Sequence, residues 1–334
     1  HHRDLHSFPT RRSSDLDYLS SPRMVRFLKN LYGDDSLDIT RQTLRYRELI
    51  KRFADYFPGY NEDVHFFSTP GRTEIGGNHT DHNCGLVLAA AINLDSIAIA
   101  ANTGNNVVTV YSKGYDVPFV VALDSLDPQK KEAGTTTALL RGIAAGISSN
   151  GYKVGGFNAY ISSDVLKGSG LSSSASIEVL IGDIFNHLYN DGTIDPQTIA
   201  MIGQYAENMY FQKPCGLMDQ IACAVGGFVA IDFKDPTKPL VKKIDFDFTS
   251  YGYKLLVVDT KGNHADLTDE YASIPAEMKA VAKSLGGKVC RDHSMDELVK
   301  RLSVLRKETG DRAILRAMHF HADNRRRSEE HTSE

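Results

Sequence analysis

The sequence predicts an α+β or mixed α/β chain, and three observations carry that prediction. A helical lead opens the chain, strand-like runs separated by glycine and asparagine follow it, and helical and strand periodicities then alternate before a mainly helical final stretch. The 334 residues are 41% hydrophobic and 24% charged, ordinary values for a soluble globular protein of about two domains. These patterns place the first domain at 17–240 and a second at 241–324.

Between 17 and 57, Leu28, Leu31 and Tyr32, then Leu44, Leu49, Ile50, Phe53 and Phe57, recur at spacings of three and four, the mark of amphipathic helix. VHFFSTPGR, at 64–72, predicts a strand that ends in a Pro-Gly turn. LVLAAAINLDSIAIAANT and NNVVTVYSK are short β-like runs. At 135–150, Leu139, Leu140, Ile143 and Ile147 share one helical face, after which GGFNAYISSDV alternates as a strand. Ile177, Leu180, Ile181, Ile184, Phe185 and Leu188 stripe a helix over 176–189, and 198–209 reads as the next. GGFVAIDF returns to strand, YKLLVVDT predicts a strongly buried strand after the DPTKP loop, and 265–324 reads mainly as helices.

The ends differ from the middle. Residues 1–16 and 325–334 are polar, resemble translated sequencing-adaptor read-through, and are set aside in the fold reading. The tail follows what reads as an interrupted helix, AILRAMHFHADN, so the natural protein is expected to continue beyond Asn324.

Composition narrows the partners. The formal net charge is −4 with both signs interspersed, which gives neither a nucleic-acid footprint nor a membrane-surface patch; a small neutral or anionic metabolite is the expected partner, and no protein partner is inferred. Cys84, Cys215, Cys223 and Cys290 show no paired spacing, so neither a disulfide framework nor a zinc site is indicated, and reduced thiols in a cytoplasm are expected. Asn93, Asp95 and glycines break the apolar stretches well short of the roughly 20 residues a spanning helix needs. Residues 1–16 lack the apolar core of a secretory signal.

Three segments carry chemistry. GSGLSSSAS, at 168–176, lies between a predicted strand and a predicted helix. Glycines let backbone amides approach an anion, and the first turn of a helix offers unpaired N–H groups and a positive dipole end. The plainer alternative is a flexible turn in which Ser172 or Ser173 merely caps the helix. Neither GxxxxGK[ST] nor a GxGxxG followed by an acid is present, so nucleotide binding here needs another scheme. PGRTEIGGNHTDHNCG, at 70–85, gathers Arg72, Glu74, Asn78, His79, Asp81 and His82, polar groups that are costly to bury without partners. A metal site of His79, Asp81 and His82 is disfavoured, because neighbours on an extended chain point to opposite faces. In AENMYFQKPCGLMDQIACAVGG, at 206–227, Glu207 ends a helix, Pro214 and Gly216 force a turn, and Asp219 opens another apolar run; alone, Asp219 reads equally well as a first-turn helix residue.

Together the three segments resemble the GHMP small-molecule kinase superfamily and, within it, the galactokinase family: GRxxxxGxHTDxN is similar to its sugar-binding signature, GxGLSSSAS to its phosphate loop and CGxMDQ to its catalytic segment. The resemblance implies a GHMP kinase fold, with a ribosomal-protein-S5-like N-terminal domain and an incomplete ferredoxin-like C-terminal domain. It implies ATP-dependent phosphorylation of the C1 hydroxyl of α-D-galactose, with ATP and Mg²⁺ as cofactors. By the same resemblance Arg72 stabilises charge at the phosphoryl acceptor, and Asp219, kept ionised by Arg72, orients or deprotonates the sugar hydroxyl. His79 and Asp81 bind sugar hydroxyls, Gly216 lets backbone approach the sugar, and Tyr271 in DEYASIP contacts it. Gly168, Ser169, Gly170, Leu171, Ser172, Ser173 and Ser174 form the phosphate loop, with Ser174 and Glu207 as magnesium ligands.

The chain departs from the family pattern in places. Asn78 stands where the family commonly has Glu, which motivates an alternative substrate such as galacturonate or N-acetylgalactosamine, and Glu74 stands where Asn is common. The superfamily's third, glycine-rich motif is absent, so the full-length protein is expected to be active and this chain alone inactive. A non-catalytic galactose and ATP sensor is a further alternative, opposed by the intact phosphate loop.

Overall fold

The computed structural model describes residues 8–10, 16–60, 63–77, 80–166, 168–246, 248–253, 255–258 and 268–332. In chain order the regular elements are β1 (Phe8–Thr10), α1 (Pro22–Tyr32), α2 (Ser36–Tyr56), β2 (Val64–Gly76), β3 (Leu86–Asn102), β4 (Val107–Ser112), β5 (Phe119–Ala122), α3 (Thr136–Ser149), β6 (Phe157–Ser163), α4 (Ser173–Asn190), α5 (Pro196–Ala206), α6 (Met218–Val225), β7 (Phe228–Asp232), β8 (Leu240–Ile244), α7 (Thr268–Leu285), α8 (Met295–Lys300), α9 (Leu302–Glu308) and α10 (Gly310–Thr332). Local chemistry sets the helix starts: Ser21 and Asp195 cap α1 and α5 through their side chains, each just before a proline whose missing N–H costs a helix nothing at that position.

The chain groups into two compact units, each discontinuous in sequence. One comprises His1–Gly71, Ile92–Leu166 and Ser172–Cys215; the other comprises Arg72–Ala91, Lys167–Leu171 and Gly216–Glu334.

In the first unit the strands follow the order β1-β2-β3-β6-β4-β5. The β1–β2, β3–β6 and β4–β5 pairs are antiparallel; β4 and β6, with Thr109 opposite Asn158, form a parallel pair joined by the crossover through α3. Phe27, Tyr46, Phe53, Phe66, Ile97 and Ile99 centre a core between α1, α2 and the strands. Asp95 is the polar exception inside it. Its Oδ2 accepts from the Tyr32 hydroxyl (2.5 Å) and Ser68 Oγ (2.6 Å), and its Oδ1 takes the Arg45 guanidinium at 2.7 Å. A carboxylate this deep is tolerable because each oxygen is hydrogen-bonded and a cation balances it.

In the second unit the start of β3 pairs with β7, Leu86 opposite Asp232, and β7 pairs with β8, both antiparallel. The helices α7 to α10 close on Met278, Val281, Leu298, Leu305, Ile314 and Phe320.

Several expectations change. β2 runs straight through Pro70 and Gly71 instead of turning there, and beyond them the Arg72 N–H donates to the Leu171 carbonyl at 3.1 Å, which keeps the chain extended. In YKLLVVDT the expected buried strand is not seen over Leu255 to Val258, which carry no regular structure and are 47–83% exposed, with no neighbouring strand among the described residues to complete their hydrogen bonds; Lys254, Asp259 and Thr260 lie outside the described residues. α10 is continuous across the supposed interruption and on to Thr332, and Phe8–Thr10 adds a strand on β2.

Replacing Asp95 with alanine takes the carboxylate away from Tyr32, Ser68 and Arg45 at once and leaves Arg45 its ion pair with Asp164 at 3.1 Å. The expected loss is about 1–3 kcal/mol of stability, read from the midpoint shift in urea unfolding.

Candidate active site

Arg72 lies on β2 with its side chain buried, and both Nε and Nη2 sit 2.8 Å from Oδ1 of Asp219 in the first turn of α6. Its Nη1 donates to the Gly170 carbonyl at 2.5 Å, so one guanidinium holds both the CGLMDQ carboxylate and the glycine loop. Burial pulls the Arg72 proton affinity down, and Asp219 more than offsets that, so the group stays above its ordinary range; Glu74 on the same strand adds a smaller pull. Asp219 itself is 29% exposed, buried enough for a strong pair and open enough to meet a ligand.

Asp81 sits in a short helical turn, Asp81–Asn83, whose geometry comes from close backbone packing. Thr80 N donates to the Gly77 carbonyl at 2.6 Å, Gly85 N to Thr80 at 2.9 Å, and Thr80 Oγ1 to Leu86 at 3.0 Å. The Asp81 carboxylate is buried, with Oδ1 taking the His82 N–H at 3.0 Å and Oδ2 near the Met218 N–H at 3.4 Å. Gly216 is required by contact: a Cβ there would lie 1.7 Å from Asp81 Oδ2. Asn83 ties this turn to the helical segment, its amide donating to Met278 Sδ (3.2 Å) and its oxygen accepting from Cys290 N (3.1 Å). Arg291 adds a bond to the Cys84 carbonyl at 2.9 Å and an ion pair with Asp232, and Asn324 accepts from Leu86 N at 2.7 Å. Sequence reasoning missed these anchors, since an Asn or Arg far along the chain carries no local signal of such contact.

Gly168 and Gly170 adopt φ of +72° and +75°, a region that disfavours any side chain. Ser172, also left-handed at φ 59°, precedes α4 without capping it through its side chain, so the plain capping role does not hold for it. Ser173 and Ser174 occupy the first turn of α4, half-buried. Ser176 is fully buried and hydrogen-bonds the Thr69 carbonyl (2.9 Å) and Ser96 Oγ (2.8 Å), with Ser96 passing on to Ser163 (2.8 Å). That chain of hydroxyls anchors the start of α4, a role the motif alone did not reveal.

Glu207 opens a π-helical turn, Glu207–Phe211, that follows α5, and it is 3% exposed. Lys213 Nζ lies 2.9 Å from its Oε1. Burial pulls the Lys213 ammonium down, but Glu207 more than restores it, leaving it above the ordinary lysine range. Burial pushes the Cys215 thiol far up, Glu207 adds to that, and the group is inert as a thiolate. Among the described residues no three His, Cys, Asp or Glu side chains gather as a metal cluster. Asn78 and His79 lie outside the described residues; Tyr271 falls within α7, and its side chain also lies outside them.

Residues 137–227 match the GHMP kinases N terminal domain, and residues 51–102 match the galactokinase galactose-binding signature. The fold is like that of Lactococcus lactis galactokinase complexed with galactose, with a TM-score of 0.70 and 23% identity over 87% of this chain and 74% of that one. Fold and motifs thus define a GHMP-type small-molecule kinase. Galactokinases of Streptomyces coelicolor and Actinobacillus pleuropneumoniae serotype 5b are 31% and 30% identical, over 80% and 83% of this chain and 68% and 70% of their own lengths. That of Clostridium tetani is 35% identical over 56% of this chain and 46% of its own length. The chain belongs to the galactokinase family. It spans between about half and 70% of the length of these relatives.

Gly216→Ala should cost about 1–3 kcal/mol in stability, because the new methyl displaces a buried carboxylate. In an Asp81→Ala background the same change should cost less, a coupling that a double-mutant cycle of unfolding midpoints measures.

Proposed function

We propose that the chain carries the active site for ATP-dependent phosphorylation of the C1 hydroxyl of α-D-galactose, giving galactose 1-phosphate and ADP. The observation behind this reading is the buried Arg72–Asp219 pair tied to Gly170, which joins the family's acceptor-side arginine, catalytic aspartate and phosphate loop in one hydrogen-bonded group. Asp219 takes the C1 hydroxyl proton or its hydrogen bond, the C1 oxygen forms the new bond to the terminal phosphorus of ATP, and the bond to the ADP oxygen breaks. Arg72 fixes the Asp219 rotamer and opposes the negative charge that gathers at the acceptor. Asp81, with both oxygens already oriented by backbone N–H groups, supplies acceptors for sugar hydroxyls, a mode that rejects sugars lacking the matching hydroxyl. The N–H groups at the start of α4, with Ser173 and Ser174, receive phosphate oxygens.

Magnesium suits the chemistry of the two donors assigned to it. Ser174 and Glu207 offer hard oxygen donors suited to that ion, nucleotide phosphates and water would complete its shell, and a cation, the Lys213 ammonium, already rests against Glu207. When bound, the metal would neutralise phosphate charge. Action in the cytoplasm, with galactose and ATP as partners, goes with this reading. A kinase for a modified galactose is not favoured, since the relatives this chain matches are galactokinases.

In the full-length protein, Asp219→Asn should lower galactose-dependent ADP release by about 10²-fold or more, in line with loss of a general base, while galactose binding measured by calorimetry stays within a few-fold. Galactose should outperform galacturonate and N-acetylgalactosamine in the same assay. An unchanged turnover in the Asn variant, or a preference for either analogue, would refute the assignment.

A further inference from the structure

Glu207 is proposed as a metal ligand, yet a lysine occupies it. Its carboxylate is buried, whereas the Lys213 side chain is 50% exposed and reaches Oε1 from the surface at 2.9 Å. The local backbone is built for that reach: Gln212 turns through the left-handed region at φ 65°, and the Lys213 N–H returns to the Glu207 carbonyl at 3.2 Å. Asn208 pins the next turn by accepting from Cys215 N at 2.8 Å, so the segment after Lys213 is held while its side chain is not. Glu178, fully buried on α4 one helical turn beyond Ser174, adds a smaller electrostatic pull on both Lys213 and Cys215.

We propose that Lys213 is a positioning residue, a stand-in cation that balances Glu207 until a divalent metal takes its place. This rests on the reading of Glu207 as a metal ligand. A buried carboxylate without a cation is costly, so a chain that must hold Glu207 ready for magnesium needs some positive charge there in the meantime. Lysine suits the role better than arginine: it bonds through a single point charge, and its long stem lets the head retract into water. The metal therefore competes with the ammonium, and the chain's affinity for it is set below what the oxygen donors alone would give.

The test is Mn²⁺ binding at saturating ADP, followed as free Mn²⁺ by electron paramagnetic resonance, on the wild-type protein and on Lys213→Gln, Lys213→Arg and Glu207→Gln variants. Lys213→Gln should bind Mn²⁺ on the order of tenfold more tightly, the size of one lost charged hydrogen bond. It should also melt earlier in EDTA and recover most of that loss when Mn²⁺ is added. Lys213→Arg, with its fork on the carboxylate, should bind Mn²⁺ no better than wild type. Equal or weaker binding by Lys213→Gln, while Glu207→Gln still abolishes binding, overturns the stand-in role alone. Binding unaffected by Glu207→Gln overturns the metal-ligand reading, and the stand-in role with it.

Discussion

The Arg72 guanidinium is the constraint on which the placement of Asp219 and the glycine loop depends. Three of its N–H groups are spent on two partners that come from different parts of the sequence, the Asp219 carboxylate and the Gly170 carbonyl, and its backbone N–H holds Leu171. A planar fork holds two N–H groups on the carboxylate and a third on the carbonyl in one fixed geometry, which a rotating lysine ammonium does not fix. Because the group is buried, each of these bonds is stronger than it would be in water, and leaving any one unmade would be expensive. The pair therefore fixes the rotamer of the aspartate, the path of the glycine loop and the straightness of β2 together.

Much of this was legible in the sequence, for identifiable reasons. Periodicity found α1 to α5 and the strands β3, β4, β6 and β7, because each buries one face and so repeats at its own period. The motif residues meet in two groups: Arg72 pairs with Asp219, and Asp81 packs against Gly216 and takes backbone N–H groups. What failed were arguments from a local residue type. Pro70-Gly71 favours a turn, but the bonds beyond it hold the strand, and YKLLVVDT has strand composition without a strand to pair with among the described residues. Asn83, Ser176 and Arg291 stayed hidden because their partners lie far away in sequence.

Buried polar groups divide into two kinds here. Asp95, with Tyr32, Ser68 and Arg45, is satisfied on every side by rigid neighbours, and the serine relay from Ser176 to Ser163 is likewise closed; both specify packing. Asp219 and Glu207 are each held by a cation, the first by an inflexible arginine and the second by a lysine with a half-exposed stem. The difference in partner matches the difference in proposed role, since one carboxylate must keep a single orientation through each turnover and the other must accept a new charge.

The uncovered run from Leu255 to Val258 bears on how the molecule behaves in bulk. Four uncharged, strand-prone aliphatic residues open to water form a template onto which an identical segment of another copy can add edge to edge. A single charge placed among them would act as a gatekeeper against such pairing.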